Sequence, residues 1–215
     1  QTFTSTVTRF IELASRDPKV LAIKQTLYRT SGDSPIMMAL IEAAKSGKQV
    51  LAVIELRARF DEQANVRWAK KLEDAGAHVV YGVLGLKTHA KASLVVRKEE
   101  NGLQVYSHVG TGNYNPKTAK IYDDLGIMSA DNLLGEDLLK LFNQLSGVFS
   151  ESHYSRLLVA PQGIRSSLVA KIERERKNHL DGKPSQIRWK INSLVDNGII
   201  DALVAAAKDG VPIDL

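Results

Sequence analysis

The sequence predicts an α/β protein: a mixed, mostly parallel sheet flanked by helices, built as one full lobe and the start of a second like it. Three observations lead there. Runs rich in strand formers, Val20 to Leu27, Gln49 to Leu56 and Ala77 to Tyr81, alternate with segments whose apolar residues recur at helical spacing. Strands separated by helix-length connections pair in parallel, and a parallel sheet is covered on both faces. A stretch near the start also returns near the end. Ala39 to Gly47 reads A-L-I-E-A-A-K-S-G and Ala202 to Gly210 reads A-L-V-A-A-A-K-D-G, each between two strand-like runs.

Thr4 to Ser15 places Val7, Phe10, Ile11 and Ala14 on one helical face. Val20 to Leu27 is a buried strand running into the polar turn Tyr28 to Asp33. Pro35 suits the first turn of a helix that runs to about Ser46 and is closed by Gly47. Gln49 to Leu56 is the second strand. Asp61 can cap a helix through about Asp74, stopped by Gly76, and Ala77 to Tyr81 is a short third strand.

The loop Gly82 to Gly85 leads into a strand carrying His89 and Lys91. Lys98 to Gly102 reads as a hairpin turn and Leu103 to Val109 as the returning strand. A loop, Gly110 to Pro116, precedes Lys117 to Tyr122, a strand over Leu125 to Met128 and a helix over Leu133 to Val148. The pattern lapses over Ser150 to Ser155, which divides the chain into a first lobe, 1–152, and the beginning of a second, 153–215. The second round is read as strand Arg156 to Ala160, helix Ile164 to His179, strand Gln186 to Ile191, helix Asp196 to Lys208 and a strand from Val211.

Composition narrows the function classes. The chain is 44% hydrophobic and 25% charged, ordinary for a globular protein with a real core. No apolar run approaches the roughly 20 residues of a membrane span. With no cysteine, disulfides, thiolate metal sites and a cysteine nucleophile are excluded, which fits a reducing cytoplasm. The chain opens on Gln1, so it is expected to be a piece of something longer. A net charge of +5 favours an anionic partner without choosing among nucleic acid, lipid, nucleotide and polyphosphate.

The chemistry is concentrated in G-L-K-T-H-A-K, Gly85 to Lys91, and G-T-G-N, Gly110 to Asn113. Residues i and i+2 of a strand share a face, so the imidazole of His89 and the ammonium of Lys91 are expected to project together. A neutral imidazole is a competent nucleophile toward a phosphoryl group, and a lysine beside it neutralises phosphate oxygens. Gly110, Gly112 and Asn113 can bring backbone N–H groups and an amide to an anion. Arg29, Arg57 and Arg59 fall just past strand ends, where α/β sheets gather their ligands.

Four segments in combination, L-Y-R-T-S (Leu27 to Ser31), E-L-R-A-R-F-D-E-Q-A-N (Glu55 to Asn65), G-L-K-T-H-A-K and H-V-G-T-G-N-Y-N-P-K-T-A (His108 to Ala119), resemble the polyphosphate kinases. That family moves the terminal phosphate of ATP onto inorganic polyphosphate, using duplicated phospholipase D-like lobes with the active site between them. The resemblance implies that His89 becomes phosphorylated, with Lys91 beside it. It implies that Arg29 and Arg59 hold the phosphates and their Mg²⁺, and that Tyr122 touches the nucleotide. Arginine cannot ligate a cation, so any metal there is expected to be held through phosphate oxygens and water.

Tyr114 or Tyr122 could stack on adenine; Asn113 would line the phosphates. The family's second catalytic histidine, a further ATP-contacting arginine and its amino-terminal domains would lie outside this chain. The chain alone is therefore expected to be inactive. ATP, ADP and polyphosphate are the implied partners, with no nucleic acid and a homo-oligomer for the full-length protein. Its implied place is the cytoplasm, membrane association remaining open.

Two rivals remain. A phospholipase D-type phosphodiesterase or nuclease resembles H-x-K followed after four residues by Asp, but Val96 occupies that position here. A nucleic-acid-binding module fits the charge, yet aromatics amount to only 6%, thin for a stacking surface. Arg57 reads as structural or solvated, and His78, His108, His153 and His179 read as bystanders. The basic run Lys171 to Lys177 reads as a solvated helix face.

Overall fold

The computed structural model describes residues 2–28, 34–55, 62–83, 85–148 and 153–215. It divides into two compact units, Gln1–Arg156 and Leu157–Leu215. In the first, six strands form one sheet in the order β3-β2-β1-β4-β5-β6. Strand β1 (Val20–Leu27) pairs in parallel with β2 (Gln49–Ile54), and β2 in parallel with β3 (His78–Val80). On the other side β4 (Lys91–Glu99) runs antiparallel to β1, β5 (Gly102–Gly110) antiparallel to β4, and β6 (Gly126–Ser129) antiparallel to β5. Four of the six strands, β1, β2, β3 and β5, thus point one way, in the mixed, mostly parallel sheet the sequence predicts.

Helices cover both faces. A π-helical turn, Thr4–Thr8, runs into α1 (Arg9–Arg16). Helix α2 (Pro35–Lys45) starts on Ser34, whose side chain accepts the Met37 N–H at 3.3 Å, and has proline in its first turn. Helix α3 (Glu62–Asp74) ends at Gly76, whose φ of 91° only glycine adopts without strain. These three helices pack Ile11, Ile36, Leu40 and Leu72 against Ile23, Leu27, Ala52 and Ile54 of the sheet. Adjacent strand residues point the other way: Lys24 reaches Asn143 on α4 (Asn132–Leu145). Helix α4 buries Leu138, Leu141 and Phe142, and Gly135 lets it approach β5, since a Cβ there would lie 3.0 Å from Val105.

The second unit contains α5 (Ile164–Leu180), β7 (Ile187–Arg188), α6 (Asn197–Lys208) and β8 (Ile213–Asp214), with β7 and β8 parallel. Ile172, Ile199, Leu203, Ala206 and Val211 form its core. Here the sequence repeat acquires geometry. Asp196 caps α6 through the Ile199 N–H, as Ser34 caps α2. At the carboxyl ends, Gly47 and Gly210 have φ of 85° and 97°. Gly47 N–H donates to Ala44 O and Lys48 N–H to Ala43 O; Gly210 N–H donates to Ala207 O and Val211 N–H to Ala206 O. Two parallel strands flank each helix, and a preceding helix packs on it, α1 on α2 and α5 on α6.

Several strand expectations need correction. Arg156 to Ala160 is not a strand. The Arg156 N–H that would enter a ladder instead donates to the Asp137 carboxylate at 2.6 Å, and its guanidinium lies 3.6 Å from Asp131. The strand expected to carry both His89 and Lys91 begins only at Lys91. Lys91 pairs with Gly110, the last residue of β5, so no strand partner remains for His89. The strands read over Gln186 to Ile191 and from Val211 contract to two residues each. No described helix is long and apolar enough to cross a membrane.

Candidate functional site at the carboxyl edge of the sheet

The strand directions decide which side chains meet. The carboxyl ends of β1, β2 and β5 and the amino end of β4 lie along one edge of the sheet. Tyr28, Glu55, Lys91 and the loop beginning at Gly110 are therefore brought to one place, although 82 positions separate Tyr28 from Gly110 in the chain. Thr26 ties the edge together, its hydroxyl accepting the Ala92 N–H at 2.9 Å.

His89 is exposed, and its ring meets the Tyr28 ring edge-on, centroids 5.3 Å apart at 73°. Tyr28 is only 7% exposed, a fixed wall behind the imidazole. Lys91, 5% exposed, donates from Nζ to the His89 carbonyl oxygen at 2.6 Å and lies 5.2 Å from the Tyr28 centroid. The expected partnership of His89 and Lys91 thus takes another form: the lysine holds the histidine's main chain, and both abut one tyrosine. Lys87 also reaches that ring, its Nζ 5.3 Å from the centroid.

Glu55 was quoted in the sequence only as part of a motif. It is 4% exposed, and its carboxylate accepts the Thr88 N–H at 2.7 Å, one residue before His89. Its own N–H donates to Leu27 O at 3.1 Å, and its carbonyl accepts from Asn65 Nδ2 of α3 at 3.0 Å. One residue therefore joins β1, β2, α3 and the histidine segment. Gly82, with φ 65°, passes beside it; a Cβ there would lie 3.3 Å from Thr88 Oγ1 and 3.5 Å from the Glu55 carboxylate.

The G-T-G-N loop is anchored at both ends. The Thr111 hydroxyl donates to Asp124 at 3.0 Å and accepts the Leu125 N–H at 3.0 Å. A Cβ on Gly112 would overlap the Asp124 carboxylate. Asn113 follows, half-buried, its Oδ1 without a hydrogen-bond partner among the described residues. Beneath the loop His108, 5% exposed, contacts the hydroxyl of Tyr114, 1% exposed, through Nδ1 at 2.8 Å. A Cβ on Gly126 would lie 2.6 Å from His108 Nε2, and one on Gly110 3.0 Å from Cε1, so two glycines make the slot for this ring. Burial lowers the His108 pKa and raises that of Tyr114, so both are neutral near pH 7.

Of the other residues singled out, Tyr122 is exposed just after a short 3₁₀ turn, Thr118–Lys120. Tyr114 is buried in the loop's support, which removes it as a stacking surface for adenine. Arg29, Arg57, Arg59 and the Asp61 cap lie outside the described residues. The basic run on α5 is partly neutralised within its own unit, Arg176 pairing with Asp209 and Glu173, and Arg174 with Glu175. No group of three or more His, Asp or Glu side chains able to hold a metal occurs among the described residues. The two carboxylates placed above at this edge accept hydrogen bonds from the protein, Glu55 from the Thr88 N–H and Asp124 from the Thr111 hydroxyl, so the described residues do not form a cluster for a directly ligated metal.

This is an α/β lobe whose exposed histidine, lysines and glycine loop stand at the carboxyl edge, where sheets of this class place their ligand sites. Residues 1–151 match the family model "Polyphosphate kinase C-terminal domain 1", and residues 157–215 match "Polyphosphate kinase C-terminal domain 2". The polyphosphate kinase of Streptomyces coelicolor is 58% identical over 213 residues, 99% of this chain and 29% of that protein. That of Mycobacterium leprae is 55% identical over 217 residues, again 99% of this chain and 29% of that protein. The crystal structure of polyphosphate kinase from Porphyromonas gingivalis matches with a TM-score of 0.88 at 38% identity, covering 100% of this chain and 36% of that one. The chain belongs to the polyphosphate kinase family, and it spans 29% of the length of these curated relatives.

Proposed function

We propose that this chain is the part of a polyphosphate kinase that carries the phosphorylated histidine, and that the full-length protein reversibly transfers the terminal phosphate of ATP to polyphosphate. The observation that carries this is the setting of His89. Its ring is exposed against a buried tyrosine, and its main chain is held by a buried lysine.

In the first step a lone pair on an imidazole nitrogen attacks the γ-phosphorus. An N–P bond forms, the bond from phosphorus to the β,γ-bridging oxygen breaks, and ADP leaves with that electron pair. In the second step a terminal oxygen of the polymer attacks the same phosphorus and the N–P bond breaks, regenerating His89. Such transfer is governed by positioning and charge neutralisation. Lys91 and Glu55 hold the backbone on either side of the ring; Gly110, Gly112 and Asn113 line the phosphates. Arg29 and Arg59 supply forked donors to phosphate oxygens. Mg²⁺ would accompany the nucleotide as counter-ion to its phosphates, bound through their oxygens beside Arg29 and Arg59 rather than by these side chains directly. The exposed ring of Tyr122 meets the nucleotide.

In the same reading the fold is a phospholipase D-like lobe, residues 1–152, followed by the beginning of its duplicate. The remaining catalytic groups come from a second lobe, the full-length protein is a cytoplasmic homo-oligomer, and nucleic acid is not a substrate. A phosphodiesterase finds no support: Val96, at the position of that pattern's Asp, is half-buried in β4 between Ala22 and Val105.

The test is His89→Ala in the full-length protein. It should lose acid-labile phosphate by mass spectrometry after ATP treatment, and polymer synthesis should fall below about a hundredth of wild type, because removing a nucleophile costs several kcal/mol of barrier. Substantial residual synthesis would exclude covalent catalysis by His89.

A further inference from the structure

We propose that Lys87 is a further phosphate-binding residue of this site, held beside His89 by the Tyr28 ring; the inference rests on the kinase reading above. Three side chains of one short segment surround that ring. His89 lies 5.3 Å away by ring centroid, Lys91 Nζ 5.2 Å and Lys87 Nζ 5.3 Å. The two lysines differ in what surrounds them. Lys91 is buried and directed at the His89 carbonyl. Lys87 is exposed and forms no ion pair with a carboxylate among the described residues.

A cation–π contact at an exposed site is a weak hold, enough to bias an ammonium toward the ring and easily given up to an anion. Two ammonium groups around one ring also raise the local positive potential, which a bound phosphate relieves. The ligand chemistry is therefore a phosphoanhydride oxygen within reach of His89, from either the nucleotide or the polymer. Lysine suits this because its compact charge, on a flexible stem, can follow successive phosphates where a rigid fork cannot.

In the full-length protein, Lys87→Gln and Lys87→Arg are compared with wild type. KM is measured for ATP in the forward direction and for polyphosphate with saturating ADP in reverse, each at low and high salt. Losing one charged contact should raise at least one KM about tenfold, with kcat changed less than about threefold, and should weaken its salt dependence. Lys87→Arg, which keeps the charge but replaces the compact ammonium by a rigid fork, should recover part of the loss. Which KM rises identifies the source of the phosphate. Tyr28→Leu should raise the same KM, and Tyr28→Phe, which keeps the ring, much less. Both KM values for Lys87→Gln within twofold of wild type would overturn the assignment. Labelling separates the two readings: a wild-type protein without acid-labile phosphate removes the histidine intermediate, while the KM comparison still decides Lys87.

Discussion

At the scale of single residues, the candidate site rests on buried polar groups that hold the main chain around His89. Glu55 is one. Removing its carboxylate leaves the Thr88 N–H without its acceptor in a buried setting, a loss of about 1.5–3 kcal/mol for a charge-assisted bond. Glu55→Ala in the full-length protein should lower kcat by displacing His89, whereas Glu55→Gln, which keeps an oxygen acceptor, should recover much of it. Equal activity in both variants and wild type would show that the Thr88 contact does not position the histidine. His108 gives a pH test. Its folded pKa lies below the usual 6.5 through burial, so the unfolded chain binds the extra proton first as pH falls. Stability of the chain should therefore decline below about pH 6.5, and less steeply in His108→Asn; denaturant midpoints across pH 5–8 measure it. His89 and Lys91 stand out in the sequence because H-x-K sets a nucleophile beside a cation within a run of further motifs, although the contacts the two make are not encoded there. Tyr28, Glu55 and Lys87 do not, because their roles follow from burial and from contacts across strand ends that spacing along the chain does not encode.

At the scale of elements, boundaries signalled by local chemistry were legible and those depending on a partner were not. Pro35, Gly47 and Gly76 marked α2 and α3 within a residue or so, because caps and glycine turns are local devices. The strand read at Arg156 failed because its backbone donor had a distant competitor, the Asp137 carboxylate. Gly110 of β5 and Gly126 of β6 show a third case, in which the absence of a side chain makes room for the His108 ring. Gly126→Ala would place a methyl group 2.6 Å from His108 Nε2 and should destabilise the first unit by about 1–3 kcal/mol. In a His108→Ala background the same change should cost much less, since the ring it meets is gone. A double-mutant cycle by chemical denaturation measures the coupling, and additive effects would mean that Gly126 does not form a wall of the slot.

At the scale of the whole molecule, the repeat leads to a test of what these 215 residues do alone. The second unit reproduces the helix cap, the glycine terminus and the parallel strand pair around α2, then reaches Leu215 before any counterpart of the His89 segment. The relatives are more than three times as long, since the chain covers 29% of them. If two lobes share the site, the 215 residues hold the histidine and its supports without the groups facing them. Positioning by such groups contributes several kcal/mol of barrier. The chain alone should therefore bind phosphate-like anions through the His89 edge and make no polyphosphate from ATP. Isothermal titration with short-chain polyphosphate should detect binding that weakens with salt, and His89→Ala, which keeps Lys87 and Lys91 in place, should leave most of it. Assay of the same chain with ATP and Mg²⁺ should show no polymer. Synthesis at a rate near that of the full-length enzyme would mean one lobe suffices, and the shared-site reading would have to be abandoned.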